Sequence, residues 1–170
     1  MRSKTKIITL GVFAAGCAWA AQSGFAAVAN LEPTQGNSAS GTVTFVQAGD
    51  KVVVTARVTG LAPGSHGFHV HEKGDCTSPD GNSAGGHFNP HGKVHGNPST
   101  PDHHAGDMPM LVADSNGVAS LTAELDTVSV GGSVADVIGK SVIVHKDPDD
   151  FATQPTGNSG ARVACGVIRK

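Results

Sequence analysis

Thr42-Val43-Thr44-Phe45-Val46 and Val52-Val53-Val54-Thr55-Ala56-Arg57-Val58 stand on either side of Gln47-Ala48-Gly49-Asp50. In both runs apolar and polar side chains alternate, Val43 and Phe45 around Thr44, then Val54 and Ala56 around Thr55. That two-residue period belongs to a strand with one face in a core, and a short Gly-containing connector between two such runs predicts a hairpin. The pattern recurs outward. Met110-Leu111-Val112-Ala113 and Val118-Ala119-Ser120-Leu121-Thr122-Ala123 flank Asp114-Ser115-Asn116-Gly117, whose Asn-Gly pair predicts a second hairpin. Further strands are expected near His66 to His71, Lys140 to His145 and Arg162 to Ile168, and only Ser133 to Gly139 reads as a short helical turn. Many short strands separated by Gly-rich turns point to an all-β sandwich or barrel.

Two segments do not read as strands. Gly74 to Met108 is rich in Gly, His, Pro, Asn and Asp, and Asp147 to Ala161 is a shorter loop of the same kind. Long loops without secondary structure in a compact domain are usually functional. The histidines supply the reason. Eight of the nine lie between His66 and His104, within thirty-nine residues. His69 and His71, two apart on a strand, leave the same face. His87, His95, His104 and Asp107 offer three nitrogens and a carboxylate, a closed tetrahedral set of the kind that holds a structural zinc. His69, His71 and His145 suit copper as well as zinc, with His87 as a fourth imidazole if one ring bridges two metals. His91 and His103 read as solvated loop residues and His66 as structural. The spacing of the His-x-x-Asp set favours His104 over His103 as the partner of Asp107.

The amino terminus reads as a secretory leader. Arg2, Lys4 and Lys6 precede the apolar stretch Ile7 to Ala15, and Ala18-Trp19-Ala20 is a small-x-small cleavage site. The leader is placed at residues 1–26, with cleavage between 20 and 29, and the domain at residues 27–170. A lipoprotein-like box ending at Cys17 is the alternative, with a lipid anchor there in place of simple cleavage; no membrane span is expected. Export to a bacterial periplasm, or secretion, follows from this reading. Removing the leader takes three bases and no acid, leaving nine bases against fourteen acids, a net charge of −5 that argues against a nucleic-acid partner. With Cys17 in the leader, Cys76 and Cys165 remain, and an even pair in an exported chain is most simply an intrachain disulfide.

His66-Gly67-Phe68-His69-Val70-His71-Glu72, Gly86-His87-Phe88-Asn89-Pro90, His104-Ala105-Gly106-Asp107 and Arg162-Val163-Ala164-Cys165-Gly166-Val167-Ile168 together resemble the copper-zinc superoxide dismutases. The resemblance implies a Greek-key β-sandwich or barrel of about eight antiparallel strands with two long functional loops. It implies one copper per chain on His69, His71, His87 and His145, and one zinc on His87, His95, His104 and Asp107. Asp149 matches the carboxylate that links a copper histidine to a zinc histidine, and Cys76 and Cys165 match the disulfide pair. Arg162 matches the arginine that attracts superoxide, and Thr156 the threonine that narrows the channel. The implied reaction converts two superoxide anions and two protons to oxygen and hydrogen peroxide by Cu(II)/Cu(I) cycling, with His87 and Arg162 as the catalytic side chains.

The chain also departs from that pattern. Lys73 stands where dimeric animal and plant forms often carry an aromatic residue, and Ile168-Arg169-Lys170 ends in two bases where they make apolar contacts. Burying three positive charges at a two-fold interface is costly. A monomer is therefore expected, or a dimer through a different surface. A metal buffer without turnover would share the ligands but need neither the bridge nor Arg162. A zinc hydrolase would need an open coordination position, which the closed zinc set lacks.

Overall fold

The computed structural model describes residues 25–170, so residues 1–24, which hold Cys17 and nearly all of the expected leader, lie outside the described residues. Nine strands form one antiparallel sheet: β1 (Ala26–Pro33), β2 (Ser40–Ala48), β3 (Lys51–Thr59), β4 (Gly64–His66), β5 (Phe68–His71), β6 (Leu111–Ala113), β7 (Ala119–Leu125), β8 (Ser141–His145) and β9 (Arg162–Arg169). Their spatial order is β4-β6-β7-β3-β2-β1-β9-β8-β5. The two strands at the ends of that order, β4 and β5, are separated in the chain only by Gly67. The sheet therefore curls until its two edges meet covalently, and a barrel with almost no free edge results. Counted as one strand broken at Gly67, β4 and β5 bring the total to the expected eight.

The alternation read in the sequence is the alternation of burial. In β3, Val52, Val54, Ala56 and Val58 are buried, while Lys51, Thr55, Arg57 and Thr59 are exposed. Phe45 and Val43 of β2, Leu31 of β1, Phe68 and Val70 of β5, Val142 and Val144 of β8 and Ile168 of β9 meet them in a single core. Each fully buried side chain of this size stabilises the fold by about 1.5–3 kcal/mol. The first hairpin forms as expected, with Ala48 opposite Lys51 across a two-residue turn in which Gly49 has φ 65°.

Three elements differ from expectation. β6 and β7 pair only at Ala113 and Ala119, while the other edge of β6 pairs along its length with β4. The stretch Ser133 to Gly139 is not helical; the Asp136 carboxylate accepts from the amides of Gly131, Gly132 and Ile138 and folds it into successive turns. The single helical piece among the described residues is the 3-10 turn Asn82–Ala84, inside the first long loop. β1 carried no clear signal, since its inward positions are Ala27, Ala29 and Leu31 and an outward one is the apolar Val28, and it is held by pairing with β2 on one side and β9 on the other.

A disulfide joins Cys76 to Cys165, with Cα atoms 5.8 Å apart and a sequence separation of 89. It ties the first long loop to β9. No helix among the described residues is long and apolar enough to cross a membrane.

Candidate metal centre

β5 and β8 lie side by side, Phe68 opposite Val144 and His71 opposite Ser141. Their core faces carry Phe68, Val70, Val142 and Val144; the opposite face of β5 carries His69 and His71 under the two long loops. His145 ends β8 just beyond a register shift between Val144 and His145. His87 is brought to His71 by an isolated bridge between the loop and β5, and Asp107 to His69 by another. The first long loop is thus stitched to the barrel at two of the points where it presents ligands.

The result is two adjoining donor sets. One ligand atom from each of His69, His71, His87 and His145 lies within 4.8 Å of the others, and the same holds for His87, His95, His104 and Asp107. All seven side chains are buried. His87 belongs to both sets: its Nδ1 lies 2.9 Å from Asp107 Oδ1 and 3.4 Å from His104 Nδ1, while its Nε2 faces the other way. His104, not His103, meets Asp107, and its amide also donates to Asp107 Oδ2 at 2.9 Å.

The partners on the far side of each ring decide which nitrogen is free. His71 Nδ1 donates to the Gly85 carbonyl at 2.9 Å and His145 Nδ1 to the Gly160 carbonyl at 3.2 Å. His69 Nε2 donates to Asp149 Oδ2 at 2.7 Å, and His95 Nε2 to Asp149 Oδ1 at 2.9 Å. One carboxylate therefore holds a histidine of each set, as metal-site outer partners do. What remains is a cluster of buried nitrogens with no hydrogen-bond partner: His69 Nδ1, His71 Nε2, His87 Nε2, His95 Nδ1 and His145 Nε2. Five orphaned nitrogens in one buried site are costly unless something accepts their lone pairs. Four imidazoles suit copper, and three imidazoles with a carboxylate suit zinc, so the residues present fit both ions.

Among protein groups alone, the electrostatics divide along the same line. Burial pushes His145 down to about 3 and His87 down to about 4, in the second case against the pull of Asp107. Burial lowers His69 and His71 as well. For His95 burial opposes charge too, but the Asp107 carboxylate 3.1 Å from Nδ1 and the hydrogen-bonded Asp149 outweigh it and raise the ring to about 9. Burial would raise the two carboxylates, yet their histidine partners hold Asp107 and Asp149 well below the usual range. The first set is therefore neutral and ready to donate lone pairs, whereas the second trades a proton for a cation.

Arg162 is half-buried beside the first set. Its Nη1 donates to the Gly81 carbonyl at 2.8 Å and its Nη2 to the Gly85 carbonyl at 2.6 Å, the same carbonyl that accepts from His71. Burial lowers its pKa slightly from the usual value, with Asp80 opposing; an arginine remains cationic throughout. Thr156 is half-buried in the second loop, its carbonyl accepting from Ser159 Oγ.

Two other histidines separate. His91 is exposed, as expected. His103 is not a solvated loop residue: it is buried, with Nδ1 donating to the His104 carbonyl at 2.6 Å, at the edge of a groove that also takes in Pro98, Met110 and Phe151. Its burial had no signal in the local sequence, because the covering residues come from three separate segments.

Residues 39–168 match the family model described as copper/zinc superoxide dismutase. The chain belongs to the copper/zinc superoxide dismutase family. It is 41% identical over 139 residues to "Superoxide dismutase [Cu-Zn] 3" of Arabidopsis thaliana, covering 78% of this chain and 84% of that protein. Among solved structures it is similar to the clock protein EA4, with 39% identity and a TM-score of 0.78, over 86% of this chain and 94% of that one. The activity of this family member is dismutation of superoxide, with copper and zinc as cofactors.

Proposed function

We propose that His69 Nδ1, His71 Nε2, His87 Nε2 and His145 Nε2 hold copper, and that His87 Nδ1, His95 Nδ1, His104 Nδ1 and Asp107 Oδ1 hold zinc. The observation that carries this assignment is His87, whose two nitrogens face the two sets. When bound, copper supplies a one-electron couple that superoxide can first reduce and then oxidise, while zinc supplies fixed charge and order. The chain's own residues do the rest. Arg162, pinned by two carbonyls, keeps its remaining N–H groups for an incoming anion and offsets its charge near the copper ligands. His87 Nε2 is the atom that can hold a proton and release it to the departing peroxide. Asp149 keeps His69 and His95 in one orientation through the cycle. Thr156 narrows the approach so that small anions enter and larger ones do not.

The same reading extends to processing and assembly. Residues 1–26 are the leader and 27–170 the domain, in an exported, periplasmic or secreted protein. The pairing of β1 favours a cut no later than Ala26 within the window 20–29, since a cut after Ala29 would remove half of that strand. Exposed Lys73, Arg169 and Lys170 favour a monomer. The decisive experiment measures superoxide dismutation by the leader-free protein together with its copper and zinc content. Fast turnover with about one copper and one zinc per chain is expected of a bridged pair. Zinc without copper, and no turnover after copper is supplied, would overturn the assignment of the first set.

A further inference from the structure

His95 is buried, and its Nδ1 faces Asp107 Oδ1 at 3.1 Å, yet it lies in a stretch of the first long loop that is neither strand nor helix. The other members of its donor set are held differently. His87 and Asp107 sit at the isolated bridges to β5, and the His104 amide donates to Asp107 Oδ2. The backbone of His95 is met instead by a side chain of the second loop. Its amide donates to Gln154 Oε1 at 2.9 Å, and its carbonyl accepts from Gln154 Nε2 at 2.8 Å. We propose that Gln154 is a positioning residue for zinc: it holds the backbone of His95 at both polar groups, as a neighbouring strand would, and so aims His95 Nδ1 into the zinc set.

A carboxamide suits this task because one planar group carries an acceptor end and a donor end. The acceptor takes the His95 amide and the donor takes the His95 carbonyl, so a single side chain supplies what a strand edge would. The remaining Nε2 proton reaches the Ala152 carbonyl at 3.3 Å and ties the side chain back to its own loop. That part of the loop is a closed turn. The Asp150 carboxylate accepts from the amides of Ala152 and Thr153 and from the Thr153 hydroxyl. The Asp150 amide donates to the Gly157 carbonyl, and the Gly157 amide to the Thr153 carbonyl. Asp149, at the head of the same turn, accepts from His95 Nε2 at 2.9 Å. The turn packs tightly on this pair, since a Cβ at Gly157 would collide with Asp149 Oδ1 and His95 Nε2. Asp149 alone fixes one atom of the ring and leaves the backbone free to pivot about it. Gln154 supplies the second point. His69 and His71 need no such help, because they lie within the paired part of β5.

The inference rests on His95 holding zinc, so the test separates the two claims. Gln154 is exposed, so its replacement leaves the core intact. Gln154→Met keeps the length of the side chain and removes both donor and acceptor, and His95→Ala removes the ligand itself. Zinc and copper affinities are measured by chelator competition, and Co(II) placed in the zinc set reports ligand geometry through its visible spectrum. Gln154→Met is expected to weaken zinc by about 10-fold, the low end of the range for a ligand's outer partner, and to change copper by less than about two-fold. The Co(II) bands are expected to shift. If His95→Ala weakens zinc but Gln154→Met leaves zinc affinity and the Co(II) spectrum unchanged, or lowers copper equally, the positioning role is wrong. If His95→Ala leaves zinc unchanged, the ligand assignment beneath it is wrong. Should Gln154→Met fail to fold, the wild-type zinc protein decides by NMR. A slowly exchanging His95 amide with a coupling across the hydrogen bond to the Gln154 side-chain carbonyl supports the clamp, and its absence overturns it.

Discussion

His87 is the residue on which both donor sets depend, because each of its ring nitrogens faces a different one. Replacing it by Ala should damage both metals, whereas His71→Ala should cost copper and spare zinc; equal zinc loss in the two variants, measured on purified protein, would refute the bridge. The titrations of the cluster give a second expectation, for protein stripped of metal. His87 and His145 sit at about 4 and about 3, below the ordinary histidine value of 6.5, so the unfolded chain binds more protons there. Stability from these rings rises with pH and is complete above 6.5. His95, raised to about 9, works the other way: its contribution is complete below 6.5 and is lost as pH climbs through 9. The metal-stripped protein should therefore be most resistant to urea near pH 6.5 and weaken toward pH 9. The zinc-loaded protein, its His95 proton displaced, should not weaken over that interval. A flat or rising midpoint for the stripped protein would contradict the assignment of His95. At this scale the sequence pointed to the seven side chains that gather in the two donor sets, and spacing alone favoured His104 over His103. It could not show that His103 is buried, because the groove at its edge is built by residues from elsewhere in the chain, Met110 and Phe151 among them.

At the scale of elements, the two long loops acquire their order from ties to the barrel. Cys76 anchors the first loop to β9 three residues beyond Arg162, and the same loop supplies the Gly81 and Gly85 carbonyls that hold the guanidinium. Closing so long a loop gives the disulfide about 4–5 kcal/mol in the chain-entropy model, an upper figure. Replacing both cysteines by Ser should lower the denaturation midpoint accordingly and also slow turnover by loosening Arg162. A lowered midpoint with unchanged kcat/KM would show that the carbonyls hold without the cross-link. Arg162→Ala should reduce kcat/KM by about ten-fold at low salt and flatten its salt dependence, as loss of a steering charge does. An unchanged rate would remove Arg162 from the mechanism. The strands themselves were largely legible through their alternation, the first hairpin most of all. The turns at Ser133 to Gly139 were not, because they are folded by one carboxylate, Asp136, capturing three amides. The partial pairing of β6 with β7 was equally hidden, since β6 is a three-residue strand whose other edge is taken by β4, a segment distant in sequence.

For the whole molecule, the charge balance and the surface decide its company. Lys73, Arg169 and Lys170 are all exposed, and a two-fold contact through them would bury like charges. Light scattering of the leader-free protein should give the mass of one chain; a stable dimer would require an interface that avoids these three residues. The alternation of apolar residues, the Gly-rich turns, the ligand spacings and the paired cysteines all reside in local order along the chain, so the sequence by itself determined an all-β fold, the metal-binding character and the side chains that gather in the two donor sets. Local order says nothing of which edges meet. Closure of the barrel at Gly67, the turning of His87 between two donor sets, the sharing of Asp149 by His69 and His95, and the sharing of the Gly85 carbonyl by His71 and Arg162 were decided only by tertiary structure. The physical reason is that each joins groups tens of residues apart, whose hydrogen bonds form only once the barrel has excluded water from the space between them.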